Sequence, residues 1–349
     1  MRLLVLGLGL VIGLLSTAGG QVARTVFSKY EPEVAPAVER ALAFLDQAQN
    51  DDGTFPGAHG RSTGIVALVG MTFLSTGKTP LDGPYADRIN RCVDYVLEHR
   101  KKDGLLDSGD GGNGPMYAHM IATLFLSEVS GMVDPERQVR VRDALGAATK
   151  VILAAQAVDK EPRHKGGWRY RPDSTDSDLS CSGWALMALR SARLNGAPVP
   201  DHAIRDAVRY IFVNHDRRVG KFGYQNADSH ARTLTGAGLL CLELCGHHGH
   251  ESTFKAGDYI LNEYESLPHD QHEIYGNYYN AQGMFQLGGK YWEKYADWMY
   301  QHYLPKQREN GAWDGRLGEV YSTSMMALAF TVPYRQLPIY QRDETVDED

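Results

Sequence analysis

Residues 168–189 read WRYRPDSTDSDLSCSGWALMAL, and they contain the structural unit that recurs along most of the chain. A glycine-rich turn ends in Trp168, an acidic segment follows, and an apolar helix is then predicted to continue to Gly196. Glycine at such a helix end is typical of a C-cap in the left-handed conformation. The stretch therefore predicts one unit of a helical repeat, because the apolar helix needs similar neighbours to bury it.

The same order of an amphipathic helix, a polar turn and an apolar helix occurs six times. The predicted apolar helices span residues 62–77, 116–131, 181–196, 232–246, 277–289 and 321–334. The amphipathic helices before them are predicted at 37–49, 88–100, 139–156, 202–214, 254–265 and 291–307. No segment alternates in the manner of a β-strand, so the fold class is all-α. Six hairpins favour a closed (α/α)6 toroid around a central cavity over an open solenoid, which needs polar caps at both ends.

The turns within the hairpins have the most specific spacing. Three of them combine a glutamine with a following glycine and an aromatic residue: Gln49, Gly53 and Phe55; Gln156, Gly166 and Trp168; Gln307, Gly311 and Trp313. A glutamine that leaves one helix is expected to hydrogen-bond the unpaired amides that open the next helix. The aromatic ring is expected to cover this contact from water.

This spacing resembles the QW repeat of squalene-hopene and oxidosqualene cyclases, and more generally the prenyltransferase and squalene oxidase repeat. The resemblance extends over about residues 37–338. Residues 278–285 and 337–340 resemble exported bacterial members that consist of a single toroid. The resemblance implies an α/α toroid like that of the terpenoid cyclases. It leaves the activity open, because one toroidal fold hosts unrelated chemistries.

Composition and charge exclude several other function classes. The 349 residues are 43% hydrophobic and 23% charged, which is typical of a globular protein. Lys and Arg number 36 against 43 Asp and Glu, and the net charge of −7 disfavours nucleic acid as the main partner. The sequence indicates no cofactor and no resident metal, and it identifies no protein partner.

The N-terminal residues 1–20 are predicted to be a secretory signal peptide. Met1 and Arg2 form a short basic start, residues 3–15 are apolar, and residues 16–20 are small. The apolar run is short for a membrane span, so we expect export to the periplasm or the extracellular space. Retention as an anchor is the alternative. The expected organisation continues with a linker at 21–36, the toroid at 37–340 and an acidic disordered tail at 341–349.

The four cysteines are too few for a disulfide scaffold. Cys241 and Cys245 lie one helical turn apart, where disulfide geometry is poor. We therefore expect buried free thiols.

In a closed ring the N-terminal ends of the inner helices meet at one mouth, where their dipoles favour polar or anionic groups. The candidate catalytic residues at this mouth are Asp176, Asp178, His119, His230 and Tyr278. The candidate substrate-binding residues are Tyr117, Trp168, Tyr170, Trp184, Arg232, Asn277 and Tyr321. Helix capping is the alternative for the polar members of this set, because Ser, Thr, Asp and Asn are preferred N-caps.

The segment from Asp176 to Leu179 resembles the Asp-x-Asp-Asp motif of squalene-type cyclases, whose middle acid protonates an alkene. The resemblance assigns Asp178 as this proton donor. Crowded carboxylates in a low-dielectric cavity raise one another's pKa, which would keep one of them protonated. The last position of the motif is Leu179 here and departs from the family pattern.

Several functions remain open on these grounds. The first is an exported terpenoid-cyclase-like toroid that binds an apolar or polymeric ligand, a lipid or a glycan, in its cavity. The alternatives are a squalene- or polyprene-cyclase-type isomerase that uses Asp178, and a polysaccharide lyase or glycan binder. A lyase would use Tyr, His, Asn and Arg side chains at the mouth. A non-catalytic scaffold is the last alternative.

Overall fold

The computed structural model describes residues 17–109, 112–230 and 232–340. Within them the chain forms α1 Thr17–Ala48, α2 Thr63–Leu74, α3 Ala86–Glu98, α4 Met116–Val129, α5 Pro135–Ala157, α6 Leu179–Leu194, α7 Asp201–Val213, α8 Thr235–Leu244, α9 Glu251–Glu263, α10 Glu273–Leu287, α11 Gly289–Tyr303 and α12 Glu319–Phe330. All twelve predicted helices are present, and no β-strand occurs in the described residues. The all-α prediction is therefore confirmed.

The even-numbered helices form a closed inner ring. Each of them packs against the next, and α12 packs against α2 to complete the circle. The odd-numbered helices form an outer layer in which α3, α5, α7, α9 and α11 each contact the inner helix before them. The inner helices are almost entirely buried, and every residue of α8 is buried, as expected for helices enclosed by others. The predicted closed (α/α)6 toroid is confirmed.

Helix α1 completes the outer layer, and it begins earlier than predicted. Val26, Tyr30 and Val34 recur every four residues and are buried, which places one apolar stripe of α1 against the last hairpin. The Tyr30 ring packs on Tyr300 of α11 at 5.2 Å, and its hydroxyl donates to Asp297 Oδ1 at 2.6 Å. Residues 21–36, expected to be a linker, are therefore helical and join the two ends of the repeat array. Residues 1–16 and 341–349, with most of the predicted signal peptide and the predicted acidic tail, lie outside the described residues.

The turn glutamines connect neighbouring outer helices, but they do so as donors to carbonyl groups. Gln307 Nε2 donates to the carbonyl oxygen of Ala37 in α1 at 2.8 Å and to that of Gly311 at 2.9 Å. Gln156 Nε2 repeats this arrangement with Ala203 of α7 at 2.8 Å and Gly166 at 2.9 Å. The expectation that these glutamines satisfy helix amides is wrong. Their role is to join a turn to the next outer helix around the ring.

The glycine of the same turn allows a close approach of two backbones. Gly311 has a φ of +89°, and a Cβ atom there would lie 2.3 Å from the carbonyl oxygen of Arg40 in α1. No real Cβ atom tolerates such a distance to a backbone atom. Glycine is therefore required both for the left-handed conformation and for the contact that closes the outer layer.

The C-terminal segment covers the end of the ring opposite the mouth. The Ile339 amide donates to Glu128 Oε2 of α4 at 3.0 Å, and the Ile339 carbonyl accepts from Arg190 Nη1 of α6 at 3.1 Å. Gln286 Nε2 of α10 donates to the Tyr340 carbonyl at 3.0 Å. Burial raises the pKa of Glu128 to about 7. Three inner helices thus hold this segment as the floor of the ring.

Two further observations concern the thiols and the character of the helices. Cys92, Cys181, Cys241 and Cys245 are buried free thiols, as predicted. Burial raises the pKa of Cys92 to about 12, which keeps this thiol protonated. Among the helices described here, none has the length and apolar character needed to cross a membrane.

Candidate functional site

A chamber lies where the N-terminal ends of the inner helices meet, as predicted for a closed ring. It has two adjoining parts of about 360 Å³ and about 670 Å³, which share Tyr117, Tyr170, His272 and Tyr275. The first part is mainly apolar, and its wall includes Ile65, Leu68, Ala118, Ile121, Trp184 and Leu317. The second part is more polar, and its wall includes Ser180, Tyr224, Ser229, His230, Thr233 and Asp270. The site therefore combines an apolar pocket with a polar rim.

A repeating position in the inner helices determines which side chains face the chamber. One residue near the start of each of four helices accepts a hydrogen bond from a backbone amide of the preceding turn. These residues are His119, Ser182, Thr235 and Thr323, and the amides belong to Leu106, Trp168, Phe222 and Trp313. Two residues earlier, the chain is on the opposite side of the helix, since each residue turns by about 100°. Tyr117, Ser180 and Tyr321 occupy that earlier position within their helices, and Thr233 occupies it just before α8. All four line the chamber.

His119, a candidate catalytic residue, belongs to the set that accepts a hydrogen bond from a turn amide and faces away from the chamber. It is fully buried, its Nδ1 accepts from the Leu106 amide at 3.0 Å, and its Nε2 lies 3.2 Å from the Ala148 carbonyl oxygen. Burial lowers the pKa of His119 to about 4, so the ring is neutral at pH 7. Both ring nitrogens bond the backbone. This position gives His119 a structural role rather than contact with a ligand.

Three candidate substrate-binding residues also lie away from the chamber. The Asn277 amide oxygen accepts from the Tyr295 hydroxyl of α11 at 2.9 Å. The Arg232 Nε atom lies 3.9 Å from Glu263 Oε2 on α9. Trp168 Nε1 donates to the Ile152 carbonyl at 2.8 Å, and its ring fills the turn. All three side chains serve the packing between inner and outer helices.

The remaining aromatic candidates form or support the chamber wall. The rings of Tyr117 and Tyr170 stack with centroids 5.9 Å apart, and both line the cavity. Trp184 lines it too and stacks at 5.5 Å on Tyr278, which is only 2% exposed and lies behind the wall. Burial raises the pKa of Tyr117 and Tyr278 well above that of a free tyrosine. The wall therefore presents aromatic rings and neutral hydroxyl groups.

The acidic motif caps α6 and pairs with an arginine. Asp178 is fully buried, and its Oδ1 accepts from the Cys181 amide at 2.8 Å and from Ser180 Oγ at 2.5 Å. Its Oδ2 lies 3.1 Å from Arg169 Nη1, and the same guanidinium reaches Asp176 Oδ2 at 3.3 Å. Burial raises the pKa of Asp178, while these hydrogen bonds and the positive charge of Arg169 oppose the rise. Both oxygens of Asp178 are engaged.

Two tyrosines separate this ion pair from the chamber. The Arg169 guanidinium carbon lies 4.6 Å from the ring centroid of Tyr170 and 5.4 Å from that of Tyr224. The hydroxyl groups of these two tyrosines hydrogen-bond each other. Both rings line the chamber, whereas Arg169 and Asp178 are not part of its wall. The charged motif thus holds the aromatic wall in place from behind.

Tyr224 and Tyr275 were not among the predicted site residues, although the repeat carries a signal for both. Tyr224 follows the turn residue Phe222 by two positions, as Tyr170 follows Trp168. Tyr275 precedes Asn277 by two positions, as Tyr117 precedes His119. Aligning the repeats by these positions would have found both residues.

The polar rim includes the predicted residue His230 and two residues outside the predicted set, Asp270 and His272. His230 Nε2 lies 3.1 Å from Asp270 Oδ2, and His272 lies beside them in the chamber wall. Burial and the nearby positive charge of Arg316 lower the pKa of His272. Among the described residues, no three His, Cys, Asp or Glu side chains are grouped so as to hold a metal ion.

No family model matches the chain, and no curated protein matches it in sequence. Two structures of variants of the type II terpene cyclase MstE from Scytonema match with a TM-score of 0.52 and 15% sequence identity. One of them, in complex with its substrate geranylgeranyl dihydroxybenzoate, aligns over 88% of this chain and 98% of its own. The other, in complex with its product merosterolic acid A, aligns over 87% and 98%. The chain therefore has the α/α-toroid fold of these terpene cyclases.

Proposed function

We propose that this protein binds an apolar small molecule of the isoprenoid class in the chamber at the mouth of its ring. The observation that carries the proposal is the aromatic wall formed by Tyr117, Tyr170, Trp184, Tyr275 and Tyr321. Flat aromatic faces beside an apolar pocket suit a hydrocarbon with little hydrogen-bonding capacity. The volumes of about 360 Å³ and 670 Å³ lie in the range of small-molecule sites.

The polar rim suits the other end of such a ligand. His230, Asp270 and Ser229 line the larger and more polar part of the chamber, beside the N-terminal ends of α8 and α10. Amides and dipoles at helix N-termini favour polar or anionic groups. A ligand with an apolar chain and a polar head would therefore place its head at the rim. The isoprenoid substrate and product found in MstE support this ligand class.

Binding is favoured over alkene protonation by Asp178. A proton donor must present a protonated oxygen to the ligand, but Asp178 lies behind the wall and both its oxygens have partners. A lyase-type site is also disfavoured, because Arg232 and Asn277 point toward the outer helices. The first of these activities would still be revealed by formation of a cyclised product, and the second by an unsaturated sugar.

Calorimetric titration with farnesol or geranylgeraniol, delivered from cyclodextrin, tests the proposal. We expect binding by the wild-type protein and a roughly tenfold or larger loss for Tyr117→Ala, which removes a ring from the wall. Tyr259→Ala on the outer helix α9 is the matched control and should bind normally. Absence of binding by the wild type, or equal affinity of Tyr117→Ala, would refute the proposal.

We further propose that the protein acts outside the cytoplasm. The basic start at Met1 and Arg2, the apolar residues 3–15 and the small residues 16–20 support export by a signal peptide. Fractionation of the native host, followed by N-terminal sequencing, should find the protein in the exported fraction with a new terminus near residue 19 or 21. An uncut chain in the cytoplasm would contradict export.

A further inference from the structure

A third cavity adjoins the chamber at the seam where the ring closes. This seam trough has a volume of about 390 Å³ and lies between residues 56–60 of the first turn and residues 316–321, which lead into the start of α12. It shares His59, Ile65, Leu317 and Tyr321 with the wall of the chamber. The chamber therefore continues sideways between the first and the last hairpin.

The repeat explains why the wall is open at this place. In the third and fourth repeats, the residue two positions after the turn aromatic is a tyrosine, Tyr170 or Tyr224, and each closes its section of wall. In the first and sixth repeats the same position holds Gly57 or Gly315. A Cβ atom on Gly57 would meet nothing within 4 Å. A Cβ atom on Gly315, by contrast, would lie 2.2 Å from Ser322 Oγ, and Gly315 does not line the trough. The missing side chain of Gly57 therefore leaves open space at the trough.

The trough has a mainly apolar wall. Its apolar members are Phe44, Pro56, Ala58, Ile65, Leu317 and Val320. Leu317 lies between the chamber and the trough and is 41% exposed. Few large apolar side chains in the described residues are exposed to this degree. At Phe44 the trough reaches the outside of α1, where another cavity of about 510 Å³ begins. An apolar chain lying here would cover Leu317 and Phe44 from water.

We propose that the seam trough holds the distal hydrocarbon chain of a ligand whose polar end lies in the chamber. This inference rests on the proposed function and narrows its ligand to a linear chain too long for the chamber alone. Acyl and prenyl chains share the required chemistry, since both are slender and apolar. The trough would then favour chains long enough to extend beyond the chamber, because it buries their distal part.

A series of chain lengths tests this inference. Linear alkanols and prenols of increasing length are titrated against the wild-type protein and Ala58→Trp, whose indole would fill the trough. Ala154→Trp, on the exposed side of α5, is the matched control. We expect all three proteins to bind short chains equally. For longer chains, affinity should keep rising by about fourfold per buried methylene in the wild type and the control, but level off in Ala58→Trp.

The possible outcomes separate the two proposals. If short chains bind and Ala58→Trp follows the wild type at every length, the seam inference is overturned and the chamber remains the binding site. If no chain of any length binds, both proposals fail. A long chain with a photoreactive diazirine at its end should label residues 56–58 or Phe44. Labelling confined to the inner-helix wall would contradict the inference. The chain type is identified by the series, alkanols or prenols, in which the affinity of Ala58→Trp levels off while that of the wild type keeps rising.

Discussion

Replacing Gly311 by alanine tests how the ring is closed. The substitution places a methyl group 2.3 Å from the Arg40 carbonyl oxygen of α1, in a residue with a φ of +89°. The left-handed conformation alone costs an alanine about 1–2 kcal/mol. Forcing the turn away from α1 should add about 1–3 kcal/mol, the usual cost of overpacking. We expect a total loss of about 2–5 kcal/mol for Gly311→Ala.

Gly131→Ala separates the two contributions. Gly131 has nearly the same φ, +87°, but a Cβ atom there would meet nothing within 4 Å. This control should therefore lose only the conformational term of about 1–2 kcal/mol. Urea unfolding followed by circular dichroism gives both free energies, and the melting temperature should fall by about 2 °C per kcal/mol. Equal losses in the two variants would refute the close approach of turn and helix as the reason for this glycine.

Three further predictions concern buried polar groups. His119→Ala should lower the free energy of unfolding by about 1–3 kcal/mol, because the Leu106 amide loses its acceptor. Ligand affinity should stay unchanged. Weaker binding at unchanged stability, measured by the same calorimetry and urea unfolding, would contradict the structural role of His119. Burial raises the pKa of Glu128 from 4.5 to about 7, so the folded state binds the extra proton between these values and stability falls as the pH rises through this window, by up to about 3 kcal/mol. Urea unfolding at pH 4.5 and 7 should show a smaller difference in the free energy of unfolding for Glu128→Gln than for the wild type. An equal difference would be evidence against assigning the pH dependence to Glu128. Asp178→Asn should destabilise the protein by about 3 kcal/mol or more, because Arg169 loses a buried partner. If the variant instead has normal stability but no longer forms a cyclised terpenoid that the wild type forms, Asp178 acts as a catalytic acid.

Most of the fold could be predicted from the sequence because glycines and apolar runs mark the inner helices. The ends of α2, α4 and α6 lie within a few residues of Gly77, Gly131 and Gly196. The early start of α1 was missed, since Pro32 and Pro36 lie inside the helix and obscure its periodicity. The apolar stripe of α1 becomes evident only beside its partner α11, which is more than 250 residues away in the chain.

The location of the cavity could be predicted, but only part of its wall. The N-terminal ends of the inner helices do converge, and Tyr117, Tyr170, Trp184 and Tyr321 line the chamber as expected. His119 was selected for its chemistry, although its position in the repeat directs it to a backbone amide. Facing direction depends on helical phase, and a shift of two residues reverses it. Residue type alone could not reveal this.

Native mass spectrometry of the protein purified from its own host tests the central claim most directly. The account predicts a bound apolar small molecule with the mass of an isoprenoid or a related long-chain lipid. Its occupancy should be lost in Tyr117→Ala and retained in Tyr259→Ala. A bound oligosaccharide, or an isoprenoid that remains bound in Tyr117→Ala, would contradict the assignment of the aromatic chamber as an apolar ligand site.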